Sequence, residues 1–352
     1  MPANNRFDTY QRHHSWVGLP IAVVYKFVDD QGSYLAALLT YYGFLSLFPL
    51  FLLGATVLGF LLHGNLGLQH DVLSSALVDF PVFGSQIQNN IHAYTGSGLA
   101  LVTSVVVALY GSLGVAQAGQ NAMNIAWGVP RNSRPNPLKA RLRSFIILAL
   151  LGVGVLATTA LSAVATGAHA LVHSLQLGFG GECVAIAASA ALDVGLFVVA
   201  FRILTVRSTS LRDVAVGAIA AGVIWQVLQD LGTYFVAHEL KGSREIYGVF
   251  ALVIGLMAWI YLESVVVVLC AELNVVLRRR LWPRSLLTPF TDNVNLTRGD
   301  KHAYGSYAKA QRFNGFERID VNFDRPDPHE PADADGIDER RLGQGDGDIA
   351  GQ

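Results

Sequence analysis

Long apolar segments separated by short polar connections make up most of this chain. Asp, Glu, Lys and Arg are absent from positions 31–70, 80–130 and 144–181. A helix needs about 20 mostly apolar residues to cross the hydrocarbon core of a bilayer. The pattern therefore predicts an all-α, polytopic integral membrane protein with six transmembrane helices within residues 34–281. The six predicted segments are Tyr34–Leu62, Gly98–Ile125, Phe145–His173, Cys183–Leu204, Val214–Val236 and Tyr247–Leu277.

The basic residues of the connections predict how these helices are oriented. Lys and Arg occur before the first helix, between the second and third, between the fourth and fifth, and after the last. The connections from first to second and from third to fourth contain none, and the fifth connection has only Lys241 and Arg244. Cytoplasmic loops of membrane proteins carry an excess of Lys and Arg. We therefore expect both termini to lie in the cytoplasm.

Residues 1–33 are expected to form a cytoplasmic N-terminal segment. Between His14 and Val28 apolar residues recur at helical spacing, with Lys26 and Asp29 off the apolar stripe. This pattern is typical of a helix that lies in the membrane interface, and a plain cytosolic helix is an equal alternative. The charged N-terminal segment lacks the small-residue cleavage site of a signal peptide, so we expect the first apolar run to be retained.

The composition changes after the last predicted helix. Residues 282–352 have an acidic excess, several prolines and a glycine-rich end. Their few apolar residues cannot offset the conformational entropy that is lost when a chain becomes ordered. We therefore expect 282–352 to be a disordered acidic cytoplasmic tail.

Composition and charge narrow the possible functions. Of the 352 residues, 52% are hydrophobic and 14% are charged, the formal net charge is −1, and the mean hydropathy is +0.41. A nearly neutral chain lacks the basic excess of nucleic-acid-binding proteins, so we expect no nucleic-acid partner. The two cysteines, Cys183 and Cys270, are too few and too far apart for a disulfide framework or a cysteine metal motif.

Sequence motifs for catalysis are absent. The stretch HELKG at His238 lacks the second histidine of a zinc-binding HExxH helix, because Gly242 occupies that position. His169 and His173 can share a helix face, but they have no acidic or cysteine companion, so a metal site is the weaker interpretation. No nucleophile elbow, Walker loop or dinucleotide fingerprint occurs. We therefore expect no enzymatic activity and no cofactor.

Four carboxylic acids fall inside the predicted transmembrane helices. A charge at the bilayer centre costs about 2.5–3.5 kcal/mol, so such residues must be protonated, paired or in contact with water. The four could form a proton- or cation-linked path that descends from the outer to the inner face, or each could be neutralised by hydrogen bonds between helices. Glu272 lies near the cytoplasmic exit of the last helix, where a side chain reaches the headgroup region more easily. In order of depth they are Asp230, then Asp193 and Glu263, then Glu272.

Two polar stripes accompany these acids. Tyr42 and Ser46 share one face of the first predicted helix. Because amide side chains do not face hydrocarbon, both stripes are expected to face a common interior. That interior is either a vestibule open to the cytoplasm or a set of hydrogen bonds between helices. The second helix carries the amides, which are Gln117, Gln120, Asn121 and Asn124.

Three motifs give the chain a family resemblance. They are LTYYGFLSLFPL at Leu39–Leu50, WGVPRNSRPNPLKARLRS at Trp127–Ser144, and YGVFALVIGLMAWIYLES at Tyr247–Ser264, which runs into AELN at Ala271–Asn274. In order and spacing they resemble the YihY/BrkB family of bacterial inner-membrane proteins. The resemblance implies a six-helix fold in the bacterial plasma membrane and a transport-like role. The family has also been labelled ribonuclease BN and virulence factor, and the sequence contains no nuclease motif.

The leading hypothesis from the sequence is a transporter or lipid translocase of unknown substrate. A non-transporting membrane scaffold that recruits partners through its cytoplasmic tail is the alternative, and a membrane-embedded hydrolase comes third. Membrane lipids are the expected partners, with anionic headgroups near Arg131–Arg143. Homo-oligomerisation is an open alternative.

Overall fold

The computed structural model describes residues 6–61, 98–136, 138–148, 178–206, 209–235, 241–286, 288 and 294–323. Within these ranges every regular element is helical, which confirms the all-α class. A 3₁₀ turn at Arg131–Ser133 follows the fourth helix. The helices are α1 (Arg6–His13), α2 (Ser15–Asp29), α3 (Gly32–Leu61), α4 (Gly98–Ala126), α5 (138–148), α6 (Gly178–Leu204), α7 (Leu211–Phe235), α8 (Lys241–Arg279) and α9 (Arg298–Ala310).

Five of the six predicted segments correspond to the long helices α3, α4, α6, α7 and α8. The predicted segment Phe145–His173 begins in α5, and beyond position 148 it lies outside the described residues. Within the described part of the chain, two helices are long and apolar enough to cross a membrane, over Leu211–Gln229 in α7 and Val253–Arg279 in α8. With 39 residues at a rise of 1.5 Å each, α8 is about 58 Å long and exceeds the hydrocarbon core.

Helix α8 lies at the centre of the described bundle and packs against α2, α3, α4 and α7. A buried apolar cluster surrounds its C-terminal half. Val275 and Val276 of α8 meet Trp127, which follows α4, and Phe201 of α6, while Ala303 of α9 joins the same cluster. This core therefore holds the short helices α2 and α9 against the ends of the long ones.

Replacing Gly217 with alanine is expected to push α7 away from α8. A Cβ atom at Gly217 would lie 2.2 Å from the backbone oxygen of Cys270 and 2.5 Å from Nδ2 of Asn274. Overpacking of this kind typically costs about 1–3 kcal/mol, so the purified variant should melt at a lower temperature in detergent. Gly195→Ala is the matched control, because nothing lies within 4 Å of the Cβ atom that it adds. Equal melting of wild type and Gly217→Ala would contradict this close approach.

The segment after α8 differs from the expected disordered tail. Helix α9 begins with a capping box, in which Thr297 Oγ1 accepts a hydrogen bond from Asp300 N at 3.1 Å and Asp300 Oδ2 accepts one from Thr297 N at 2.9 Å. The prediction of disorder from 282 is therefore wrong for 294–323. The prediction fails because buried charged groups anchor this segment, and a count of apolar residues does not include them. Residues 324–352 lie outside the described residues.

Candidate functional site

One buried ion cluster joins α2, the turn after α2, and α8. We call it the lysine site, and it consists of Lys26, Asp30 and Glu272. The Lys26 ammonium pairs with the Asp30 carboxylate and lies 3.3 Å from Oε2 of Glu272. The side chain of Lys26 is 1% exposed and that of Glu272 is 0% exposed. Lys26 Nζ also donates a hydrogen bond of 3.1 Å to the backbone oxygen of Ala126, where α4 ends.

The lysine site contains more acid than base, because two carboxyl groups share one ammonium. The backbone oxygen of Ala126 adds the negative end of a helix dipole. An unbalanced buried charge is costly, so a proton on one carboxyl group stabilises the site. The pKa of Asp30 is raised, first because burial disfavours its carboxylate, an effect that Lys26 opposes and the charge of Asp29 reinforces. Burial and the surplus of acid therefore both favour a proton on one of the carboxyl groups of the site.

A second buried ion cluster, the arginine site, consists of Arg284, Asp29 and Asp300. Arg284 Nε lies 2.7 Å from Asp300 Oδ1, and Arg284 Nη2 lies 3.0 Å from Asp29 Oδ2. The side chains of Arg284 and Asp300 are both 0% exposed. Burial alone would lower the pKa of Arg284, but the hydrogen bond with Asp300 and the charge of Asp29 outweigh burial, and the pKa is raised. The arginine site thus ties the segment after α8 to the end of α2 and the start of α9.

Tyr307 of α9 connects the two ion clusters. Its hydroxyl donates a hydrogen bond of 3.1 Å to Asp29 Oδ2, and its ring centroid lies 5.2 Å from Lys26 Nζ. The pKa of Tyr307 is raised, mainly because burial disfavours the phenolate and also because Asp29 and Asp30 are negative. Tyr307 therefore remains a hydrogen-bond donor at neutral pH and holds α9 beside both clusters.

The N-terminal helices hold the segment after α8 through further hydrogen bonds. Gln11 Nε2 donates to the backbone oxygen of Arg284 at 2.5 Å. Asp8 Oδ1 accepts from the backbone nitrogen of Leu286 at 3.2 Å, and the Tyr25 hydroxyl donates to the oxygen of Leu286 at 2.7 Å. The two ends of the described chain therefore form one packed unit over the lysine and arginine sites.

The acids predicted near mid-membrane are dispersed. Asp193 is half-buried on α6, and its Oδ2 has no hydrogen-bond partner among the residues that the structure describes. Glu263 on α8 accepts a hydrogen bond of 2.8 Å from Trp259 Nε1, one turn earlier on the same helix. The backbone of Asp230 belongs to α7, and its side chain lies outside the described part of the chain. Of the four predicted acids, Glu272 has a described ion-pair partner.

The amide stripe of α4 is used mainly by the connections between helices. Gln120 Nε2 donates to Ser144 Oγ of α5 at 2.8 Å, and Asn124 Oδ1 accepts from the backbone nitrogen of Val206 after α6 at 3.1 Å. Gln117 is exposed, so it does not share the buried face of Gln120 and Asn124. The buried part of the stripe therefore fixes the ends of α5 and α6 beside α4.

The polar stripe of α3 is also engaged within the helix bundle. The ring of Tyr42 packs on Gly114 of α4, where an added Cβ atom would lie 2.3 Å from Cδ1 of the ring. Ser46 Oγ donates to the backbone oxygen of Gly43 at 2.7 Å. Tyr42 therefore packs against a neighbouring helix, and Ser46 binds the backbone of its own helix. The cytoplasmic vestibule stays a prediction.

The basic connection Arg131–Arg143 is partly tied back to the helices. Arg134 Nη1 donates a hydrogen bond of 3.4 Å to Asn121 Oδ1. Arg143 Nη2 donates to the backbone oxygens of Ile203 at 2.6 Å and Thr205 at 2.5 Å, and so caps the end of α6. The exposed basic side chains of this connection are those of Arg131, Lys139 and Arg141.

A family model described as Virulence factor BrkB matches residues 23–290. This chain belongs to the BrkB family. The match includes the whole lysine site and Arg284, and it ends before α9 of this BrkB-family chain begins. The family resemblance indicated by the three sequence motifs is thereby confirmed.

Curated relatives of this BrkB-family chain carry membrane-protein names. A UPF0761 membrane protein of Psychrobacter sp. (strain PRwf-1) is 24% identical over 306 residues, which are 83% of this chain and 55% of that protein. One of Rhodospirillum centenum is 28% identical over 276 residues, 74% of this chain and 57% of that protein. The putative ribonuclease-like protein YfkH of Bacillus subtilis (strain 168) is 26% identical over 278 residues, 72% of this chain and 93% of that protein.

The chain spans little more than half the length of the first two of these relatives. No solved structure matches it. The family match and the names of the relatives identify it as a membrane protein of the BrkB/UPF0761 family.

Sequence reasoning found Glu272 of this BrkB-family protein but not its partners. It placed Glu272 near the cytoplasmic exit of the last helix, where a side chain reaches the headgroups more easily, and Lys26 off the apolar stripe of α2. The structure instead buries the two side chains together. The spacing of Lys26 and Asp30 was an available signal, since residues four apart share a helix face. No comparable spacing connects Arg284 with Asp29, which lie 255 positions apart.

Proposed function

We propose that this chain crosses the bacterial plasma membrane six times, with both termini in the cytoplasm, and acts as a proton-linked transporter or lipid translocase. The distribution of Lys and Arg among the connections supports this orientation. The lysine site carries the transport proposal, because Asp30 and Glu272 share one fully buried ammonium. Two carboxyl groups beside one ammonium can take up a proton in each transport cycle, whereas a one-to-one ion pair is already balanced.

The position of the lysine site suits control of helix packing. Asp30 lies just before α3, Glu272 lies near the C-terminal end of α8, and Lys26 also binds the last residue of α4. If the carboxyl groups of Asp30 and Glu272 lost their proton, an unbalanced negative charge would remain among these helices. Contact with water would stabilise that charge. Proton-dependent opening at this end of the bundle is a movement that a transporter requires.

We infer that the protein is not an enzyme. Its expected partners are membrane lipids, with anionic headgroups beside Arg131, Lys139 and Arg141, which are exposed. A direct check is incubation of the purified protein with RNA, for which we expect no cleavage.

The second candidate function is a scaffold, and the docking of α9 allows a sharper test of it. Cutting the chain after Arg284 would remove Asp300 and disturb the folded part of the protein. Removing only 324–352 leaves α9 and the arginine site intact. A scaffold that recruits partners through its acidic end should lose its cellular phenotype in this truncation, whereas a transporter should keep its flux.

The transport proposal predicts that Glu272→Gln abolishes the response to a pH gradient. Glutamine has nearly the same shape and leaves Lys26 balanced by Asp30, so the variant should fold. The purified protein is reconstituted into liposomes that contain NBD-labelled phosphatidylglycerol and an internal pH dye. We expect wild type to move the labelled lipid at a rate that depends on the gradient, and Glu272→Gln to lose that dependence. Asp193→Asn should slow movement if Asp193 lies on the path.

The matched control is Asp320→Asn, because Asp320 forms an exposed pair with Arg318 far from the lysine site in the chain. It should behave as wild type. If the wild-type protein moves neither lipid nor protons in these vesicles, the proposed function is wrong. If Glu272→Gln keeps a normal response to the gradient, the lysine site is not the coupling group.

A further inference from the structure

A basic cleft of about 270 Å³ opens between the start of α7 and the end of α8. Its position follows from the two candidate membrane spans, since one begins at Leu211 and the other ends at Arg279. The cleft therefore lies where both helices leave the hydrocarbon, at the level of lipid headgroups. The lining residues that matter here are Arg212, Asp213, Val216, Asn274, Arg278 and Arg280.

The cleft has a surplus of positive charge. Arg278 Nε pairs with Asp213 Oδ1 at 2.8 Å, and Asp213 also accepts a hydrogen bond from the backbone nitrogen of Ser210 at 2.9 Å. Arg212 and Arg280 form no ion pair and no side-chain hydrogen bond with any residue that the structure describes. Three guanidinium groups thus face one carboxylate, which favours an anion that can accept several hydrogen bonds.

The inner wall of the cleft supplies a buried amide. Asn274 is 2% exposed, and its Oδ1 accepts a hydrogen bond of 2.7 Å from the backbone nitrogen of Gly217. Its Nδ2 forms no hydrogen bond within the described part of the chain. Because Asn274 lines the cleft and is fixed through its Oδ1, its Nδ2 is available to donate to an oxygen atom that enters the cleft.

An exposed apolar stripe leads away from the cleft along α7. Val216, Ile219, Val223 and Val227 recur every three or four residues, and each is at least half exposed. Residues at this spacing share one helix face. This face of α7 therefore carries the Arg212 guanidinium at the membrane boundary, beside the arginines of α8, and aliphatic side chains along the span.

We propose that the basic cleft binds the phosphate of an anionic phospholipid, with an acyl chain lying on the α7 stripe. Arg212 and Arg280 hold the phosphate oxygens, and Asn274 donates to one of them. The apolar stripe favours a lipid over a free phosphate ion, because only a lipid covers it. The proposal concerns binding and goes beyond transport, so it holds whether or not the protein moves a substrate.

The test compares lipid retention in nanodiscs that contain phosphatidylglycerol and phosphatidylcholine. Native mass spectrometry of the released wild-type protein should show preferential retention of phosphatidylglycerol. Arg212→Gln/Arg280→Gln should reduce that preference by about tenfold, as expected for the loss of charge-assisted hydrogen bonds. Both side chains are exposed and have no ion-pair partner among the described residues, so the double variant should melt at the same temperature as the wild type.

Arg298→Gln/Lys301→Gln removes the same charge from exposed positions on α9 and should keep the wild-type preference. An unchanged preference in Arg212→Gln/Arg280→Gln would overturn the proposal. A second arm adds inorganic phosphate to the detergent-solubilised protein. If phosphate at the same concentration displaces phosphatidylglycerol as effectively as added phosphatidylglycerol does, the cleft binds free anions and the lipid assignment is wrong.

Discussion

Replacing Lys26 with methionine is expected to destabilise the protein by about 3–5 kcal/mol at neutral pH, the range for breaking a buried ion pair. The change leaves the buried carboxyl groups of Asp30 and Glu272 without the ammonium that both contact. Denaturant titration in mild detergent, followed by tryptophan fluorescence, would measure the free energy of unfolding. Lys139→Met removes an exposed ammonium and is the matched control.

The free energy of unfolding that Lys26→Met loses should be smaller at lower pH. Because the pKa of Asp30 is raised by burial, folding favours its protonated form. That contribution is fully present below the unfolded value of about 3.9 and is lost as the pH rises through the raised pKa. Without Lys26 the carboxyl group faces Glu272, Asp29 and Tyr307, so the variant should lose stability with rising pH more steeply than the wild type.

A double variant identifies the shared charge as the cause. Lys26→Met combined with Glu272→Gln has one buried acid fewer, so it should recover part of the lost stability at neutral pH. If the single and double variants lose the same free energy, Asp30 and Glu272 do not share Lys26 in the way that the distances indicate.

Replacing Arg284 with methionine is expected to cost about 3–5 kcal/mol and to release α9. Asp29 and Asp300 would both lose the guanidinium that joins them, so keeping the Asp300 carboxylate fully buried would be unfavourable. Amide hydrogen exchange followed by mass spectrometry should show a loss of protection over Arg298–Ala310, while α7 keeps its protection. Arg284→Lys should show a protection of α9 between that of the wild type and that of Arg284→Met, because lysine keeps the charge but lacks the planar fork.

Arg318→Met is the control for this experiment, since Arg318 forms an exposed pair with Asp320. It should leave the exchange of α9 unchanged. If α9 stays protected in Arg284→Met, then the capping box and the hydrogen bonds from Gln11 and Tyr25 are sufficient to hold the segment, and the arginine site is not its main anchor.

The long helices could be predicted because their signal is local. An apolar run of sufficient length indicates a helix wherever the rest of the chain lies, and the predicted Gly98–Ile125 ends one residue from the observed end of α4. The helix predicted between His14 and Val28 agrees closely with α2. Its buried face was harder to predict, since two of the groups that Lys26 contacts, Glu272 and the backbone oxygen of Ala126, lie in distant helices.

The tail shows the same limit in another form. Its composition indicated disorder, yet α9 is held by Arg284, Asp300 and Tyr307, which are polar residues that count against folding in a measure of apolar content. Polar side chains stabilise a fold only when their partners meet them in space. Arg284 and Tyr307 share the partner Asp29, which lies on α2 far away in the sequence, so no local pattern reports these contacts.

The contact between Arg284 and Asp29 also constrains the order of events during synthesis. Their 255 positions of separation correspond to roughly 10–50 s of translation at ordinary rates. During that interval α3 to α8 are synthesised while α1 and α2 still lack the segment after α8 that they finally contact. Closure of the ion clusters is therefore a late step of biogenesis, and a ribosome that stalls before Arg284 leaves a bundle with charged residues unmatched at one end.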